Sequence, residues 1–277
     1  MKAIWRRLKK SKTGLVGLII VSFFVLMALF APLIATHDPL KADIMRTLEG
    51  PSLRSPLGRD ALGRDIYSRI VYGSRLSLLA SFGAVAIGVL SAVPLGLMAG
   101  YFGGKVDTVI RSLADLMLAF PPFLLALSLV AVLGVGLRNV LISVGISTIP
   151  VYIRLVRGEV LSLREQEYVL AAKALGRSDL SIIFRHILRN VFPLIIVQST
   201  IYMGITLLYS AGLGFLGLGV QPPTPEWGSM VGAGRTYIYS AIHLSIFPGL
   251  AIFLAILGFN LLGDGLRDAL DPRLRGQ

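Results

Sequence analysis

The chain has no cysteine among its 277 residues, so neither a disulfide framework nor a thiolate-bound metal can organise it. Charge is also scarce. Asp, Glu, Lys and Arg make up 15% of the chain, against about 25% in a soluble globular domain, and a soluble chain of this size could not cover its surface with so few. Disorder is excluded by the opposite excess, 55% apolar residues and a mean hydropathy of +0.75. The three histidines, His37, His186 and His243, stand far apart and show no metal-ligand spacing. The alternating segments of about ten residues that build a membrane β-barrel are missing as well. The solvent that suits this composition is a lipid bilayer, crossed by an all-α chain.

Among the charges that are present, 27 basic residues face 15 acidic ones, a net charge of +12. In a soluble protein that balance points to nucleic acid. Here long uncharged stretches separate the charges, and no basic patch with interleaved aromatics lies outside the membrane-flanking segments. No nucleic-acid partner is expected, and the bias reads as membrane topology.

A helix needs about 20 apolar residues to cross the hydrocarbon core. Six stretches qualify: Thr13–Thr36, Leu76–Gly104, Leu116–Leu137 (beginning nearer Asp107), Asn139–Ile153 with a turn borrowed beyond Arg154, Asn190–Pro225, and Thr236–Gly263. The fifth is too long for one span, so its end leaves the bilayer. The basic start, MKAIWRRLKKSK, resembles a signal-peptide n-region, but the apolar run behind it is longer than an h-region of 7–15 residues and reads as a retained first helix. With the N-terminus inside and six spans, 18 of the 27 Lys and Arg residues fall on the inner side. Both termini are then cytoplasmic, in a multi-pass protein of a prokaryotic inner membrane. The chain divides into 1–75, holding the N-terminal tail, first span and outer loop, and a five-helix domain, 76–277.

The longest inner connection, within about 158–190, reads as two short helices around a glycine. On the first, Arg164–Leu175, the residues Tyr168, Ala171, Ala172 and Leu175 share a face. Gly176 suits the left-handed conformation that ends a helix. Ser178 is a candidate N-cap for the second, with Asp179 complementing its dipole. Leu180, Ile183, Phe184, Ile187 and Val191 form an apolar stripe opposite Arg177, Ser181, Arg185 and Arg189, a pattern that suits a helix lying on the membrane surface. The pair is either an amphipathic connector or a docking element that takes force from a soluble partner.

Other signals read mainly as structure. Arg111 and Asp115 are spaced to pair along one helix, which lowers the cost of about 2.5–3.5 kcal/mol for a carboxylate in the membrane. Gly96, Gly100 and Gly104 make a small-xxx-small face for close helix packing. Pro94, Pro121, Pro122, Pro150 and Pro248 are expected to kink or end helices. Residues 212–217 match the GxGxxG nucleotide fingerprint but lack its βαβ context. AGYFGGKV, residues 99–106, lacks the first Gly and the Ser/Thr of a P-loop. The chain therefore has no recognisable ATP site, and energy must come from another subunit or a gradient. Gln221–Trp227 reads as a stiff outer turn, a gate or a partner contact, with Trp227, Tyr237 and Tyr239 at the outer interface. The repeated Leu-Gly-Arg-Asp at 57–60 and 62–65 implies two tight turns.

The stretch Glu167-Tyr-Val-Leu-Ala171-Ala172-Lys-Ala-Leu-Gly176 resembles the EAA loop of ATP-binding-cassette (ABC) importer permeases. SDLSIIFRHILRNVFP, GLGFLGLGVQPPTPEWGSM and SPLGRDALGRDIYSRIVYGSRLSL resemble its peptide/nickel branch, in the dipeptide- or oligopeptide-permease C type. Two departures stand out: Leu170 occupies the motif's opening Glu position, with Glu167 three residues earlier, and Leu188-Arg189-Asn190 replaces Leu-Pro-Asn. The resemblance implies a type I importer transmembrane domain with cytoplasmic EAA coupling helices. It implies a second permease in a heterodimer, two ATPase subunits that carry ATP and Mg, an external solute-binding protein, and no catalysis or cofactor in this chain. Glu167, Ala171, Ala172, Lys173, Gly176 and Arg177 would contact the ATPase. Cargo would be di- or oligopeptides, with nickel or another metal chelate, or glutathione, as alternatives. A gradient-driven carrier and a purely structural subunit are the rival classes.

Overall fold

In a computed structural model, residues 11–270 are described, and the basic flank expected to orient the first span lies almost wholly outside them. Helix α1, Lys12–Leu29, begins where the Ser11 hydroxyl accepts the Gly14 amide at 3.2 Å. It stops before Pro32, and a separate turn, Ala31–Ile34, follows. The single helix expected to Thr36 is therefore broken, because a proline inside it would remove a backbone donor and clash with the preceding turn. Helix α2, Ile66–Phe102, starts ten residues before the apolar run at Leu76. Its N-cap is Asp65, which accepts from the Ser68 amide and hydroxyl at 2.8 and 2.7 Å. Arg69 and Arg75 belong to this helix. Arg69 is buried and donates to the carbonyls of Pro39 (2.9 Å) and Pro223 (3.2 Å), so a charge that reads as loop sits in a helix.

Gly103 and Gly104 take positive φ and reverse the chain into α3, Gly104–Leu118. Pro121 and Pro122 then separate α3 from α4, Pro122–Leu133, and the two helices are bent by 87°. The third span is thus a bent pair, broken where Pro121 and Pro122 are expected to kink or end a helix. Helix α5, Leu137–Leu163, runs ten residues beyond Ile153 and carries Arg154 and Arg157. The short α6, Glu167–Ala174, precedes α7, Asp179–Phe215, which contains a π turn at Ile183–Ile187. Helix α8, Trp227–Gly234, and α9, His243–Leu270, complete the order. Five helices are long and apolar enough to cross a membrane, and the bent α3–α4 pair makes a sixth, matching the six expected spans. Among the described residues there is no strand beyond one isolated bridge, Arg59 to Asp65.

The most extensive helix pair is α2 with α5. A Cβ at Gly96 would lie 2.8 Å from Val156 Cβ, and one at Gly100 2.6 Å from Val160 Cβ, so these glycines are contact points. Gly104 does not join them. Nothing lies near it, and its φ of +52° serves the turn. Pro94, Pro150, Pro193 and Pro248 lie inside continuous helices, whereas Pro121 and Pro122 mark the joint within the bent α3–α4 span.

The segment 36–65 packs over the start of α2. Both Leu-Gly-Arg-Asp units do make turns, with Gly58 and Gly63 at φ +81° and +71°. They form one unit, in which Arg59 donates to the Gly63 carbonyl at 2.8 Å and Asp60 accepts from the Leu62 and Arg64 amides. Trp227 lies at no interface. It is fully buried, its indole N–H donates to the Ile70 carbonyl at 2.9 Å, and its ring meets Phe24 edge-on at 5.4 Å. The cause is α8, whose Gly228 and Gly232 press against the α7 backbone at Ala211 and Phe215 and carry the indole inward. Glu226 caps α8 from the interior and accepts from the Gly228 and Ser229 amides at 2.8 Å and from the Ser77 hydroxyl at 3.2 Å.

Gly100→Leu should overpack the α2–α5 contact and cost about 1–3 kcal/mol, read as a lower melting temperature in detergent. Gly249→Ala, in open surroundings on α9, should be neutral or stabilising by up to about 1 kcal/mol.

Candidate functional site

Helix α6 stands at the end of the fold where α2 and α5 finish and α7 begins. Its last turn closes as a Schellman motif: the Gly176 amide bonds to the Lys173 carbonyl at 3.0 Å and the Arg177 amide to the Ala172 carbonyl at 3.2 Å. Gly176 has φ +76°, the left-handed value its position suggests. Ser178 is the N-cap residue of α7 in extended conformation, although its side chain makes no capping bond. Asp179 instead accepts from the Tyr101 hydroxyl of α2 at 2.6 Å.

The buried side of α6 consists of Val169 and Ala172, three residues apart, in an apolar cluster with Leu97, Val156, Val160 and Ile187. Two polar contacts add to it. Arg164 donates to the Gly100 carbonyl at 3.1 Å, and Asn190 to the Tyr168 hydroxyl at 3.2 Å. Partial burial shifts the Tyr168 hydroxyl above its usual range, against the Asn190 hydrogen bond. Glu167, Leu170, Ala171, Lys173, Leu175, Gly176 and Arg177 are exposed, with Leu175 at 84%.

The expected shared face of Tyr168, Ala171, Ala172 and Leu175 is therefore split. Ala172 points into the helical domain while the other three face out, because the helix is rotated to bury Val169. The second helix is not a separate surface helix but the first turns of α7. Ile183, Ile187 and Val191 are buried as the stripe suggests, while Leu180 and Phe184 are 66% and 61% exposed. The π turn admits an extra residue, so a stripe of period 3.6 cannot run unbroken across it.

The expected Arg111–Asp115 pair does not form. Asp115 pairs with Arg154 of α5 at 2.6 Å, and Asp107 takes both Nε and Nη2 of Arg157. Helix α3 lies across α5, with Ile110 and Ala114 buried against Ile153 and Tyr152, and this brings its carboxylates to the arginines of α5. Spacing along α3 alone could not reveal these partners. Tyr101 and Val169 also escape a sequence reading, although the interval from Val169 to Ala172 was a visible hint. His186 lies beside Tyr168, with ring centres 6.4 Å apart, and no cluster of three or more metal-ligating side chains occurs among the described residues.

Long apolar helices in close contact, with one short capped helix held out at an end, define a multi-pass membrane domain. Residues 92–276 match the family model described as binding-protein-dependent transport system inner membrane component, and residues 1–51 match the N-terminal TM domain of oligopeptide transport permease C. The chain belongs to that inner-membrane-component family and is a permease subunit of an ABC importer. It is 49% identical over 271 residues to the dipeptide transport system permease protein DppC of Alkalihalophilus pseudofirmus, covering 98% of this chain and 89% of the relative. It is 43% identical to the di/tripeptide permease DppC of Pseudomonas aeruginosa, with coverage of 99% and 93%. It is also 43% identical to the glutathione permease GsiD of Pectobacterium atrosepticum, with coverage of 99% and 91%. Among solved structures, the fold resembles a chain of the inward-facing MetNI methionine ABC transporter, with a TM-score of 0.61 at 18% identity, covering 74% of this chain and 98% of that one. This is the type I importer fold.

Tyr101→Phe removes the donor to Asp179 and should loosen the α6 end by about 1 kcal/mol. Hydrogen exchange should show faster exchange at the α6 amides and no change in α8.

Proposed function

We propose that this chain forms half of the membrane pathway for short peptides, with α6 as the lever through which separate ATPase subunits drive it. The observation that carries the reading is the division of α6 into an anchored side, Val169 and Ala172, and an exposed side ending in the Gly176 elbow. An anchored helix with a small, capped tip can receive force at one surface and pass it to the spans at the other. Glu167, Ala171, Lys173, Gly176 and Arg177 form the ATPase-facing surface, and Ala172 belongs to the mount.

On this reading the α6 end and both chain termini are cytoplasmic, in accord with the 18 basic residues assigned to that side. A second, non-identical permease supplies the other half of the pathway. Two ATPase subunits bind ATP and Mg, and an external binding protein delivers cargo, so this chain performs no catalysis. Peptides are favoured because the relatives are named for dipeptides, di/tripeptides and glutathione, itself a tripeptide.

The test reconstitutes the full transporter in proteoliposomes. Ala171→Trp and Gly176→Val should each cut uptake about ten-fold or more and abolish stimulation of ATP hydrolysis by loaded binding protein. Gly176→Val acts through its positive φ, a strain of about 1–2 kcal/mol, since nothing crowds the position. Normal uptake and stimulation in both variants would refute the lever, and uptake by this chain alone would favour the carrier.

A further inference from the structure

We infer that the cavity between α3 and α5 is a water-filled binding site for the charged ends of the cargo, with Arg111 taking a carboxylate and Asp115 an ammonium. This rests on the peptide-importer reading above. The cavity measures about 370 Å³ and is lined by Arg111, Ala114, Asp115, Ile153, Arg154 and Arg157, within the range of about 300–1,000 Å³ common for small-molecule sites.

Three features point to a ligand. First, the charges are exposed on helices of the membrane domain: the Arg154 side chain is 58% accessible and Asp115 46%, and Arg111 is exposed. A charge turned toward acyl chains costs about 2.5–3.5 kcal/mol, so this wall faces water. Second, charge is unbalanced. The guanidiniums of Arg111, Arg154 and Arg157 meet two carboxylates, Asp107 and Asp115, and both ion pairs exclude Arg111. Among the described residues Arg111 has no carboxylate within 4 Å. Third, the wall carries both signs in unfilled form. Asp115 uses only Oδ1 toward Arg154 and keeps Oδ2 open, beside the free Arg111. A peptide carries one group of each sign, and a guanidinium with a carboxylate on one wall complements it. Ala114 and Ile153 supply an apolar floor between them.

The chain has no cysteine, so Arg111→Cys introduces its sole thiol and breaks no pair. In proteoliposomes with cysteine-free partner subunits, a membrane-impermeant methanethiosulfonate should label it from the α6 side. Loaded binding protein, dialanine and ATP should slow that labelling about ten-fold, as expected for displacement by a charge-assisted contact. Leu113→Cys, on the far side of α3, should be unaffected by cargo. Arg111→Gln should lower dialanine uptake about ten-fold at unchanged melting temperature, and Arg111→Lys should restore most of it. The site is overturned if the R111C thiol reacts only with a lipid-soluble maleimide, if cargo never protects it, or if Arg111→Gln transports like the wild type. Absence of ATP-driven dialanine uptake by the wild type would overturn the peptide reading together with the site. Wild-type uptake with an unprotected thiol would overturn the site alone.

Discussion

The fold depends on how closely α2 can approach α5. In a bilayer, apolar side chains gain nothing by leaving lipid for one another, so helix association rests on close packing and on hydrogen bonds between helices. Here closeness comes from missing side chains. Gly88 faces Thr148, Gly96 faces Val156, Gly100 faces Val160, and from the other side Gly145 faces Ile87. Any Cβ at these glycines would meet a neighbour closer than van der Waals contact allows. Because α2 is 37 residues long, the contact ties one end of the molecule to the other. The turn into α3 and the mount of α6 both hang from it, the latter through Arg164 on the Gly100 carbonyl.

The end opposite α6 obeys a different constraint, that a buried polar group needs a partner. Arg69, Glu226 and the indole N–H of Trp227 all lie inside, and each is matched: Arg69 by two carbonyls, Glu226 by two amides and the Ser77 hydroxyl, Trp227 by the Ile70 carbonyl. These bonds join the 36–65 segment, α2 and α8. The loop between the first two spans is therefore a structured strap, and the two Leu-Gly-Arg-Asp turns shape it. Glycine at 214 gives the Glu226 carboxylate room, since a Cβ there would run into Oε2.

The sequence alone makes some of this legible, for definite reasons. The spans are visible because hydropathy is a local sum, and the elbow at Gly176 because its signal, a glycine after a helical run, is also local. The ends of spans are not legible from apolar runs. Arg69, Arg154 and Arg157 lie in helices that continue past the apolar stretch, with their charges held by partners distant in sequence. The Arg111–Asp115 expectation failed for a related reason. Spacing shows which residues could meet on one helix, whereas α5 offered Asp115 a cross-helix partner. Trp227 misled because its residue type favours interfaces, while Gly228 and Gly232 of α8 set its actual depth. The rotation of α6 turned on a single residue, Val169, which competes with Tyr168 for the buried side.

These constraints together bear on how a push at α6 would travel under the proposed coupling role. Val169 and Ala172 sit in the cluster that includes Val156 and Val160 of α5, and these same valines fill the glycine notches of α2. Tyr101 ties Asp179, at the start of α7, to α2, and Asn190 ties α7 back to Tyr168 of α6. Displacing α6 without moving α2, α5 and α7 would break apolar packing and these hydrogen bonds at once, whereas moving the three as a body breaks none of them. Helix α3 is attached to that body by the ion pairs from Asp107 and Asp115, but the glycines before it and the prolines after it leave its ends free to bend. The compliant element is thus α3 with its 87° joint to α4, and a rigid α2–α5–α7 unit would deliver motion from the lever to the one broken span.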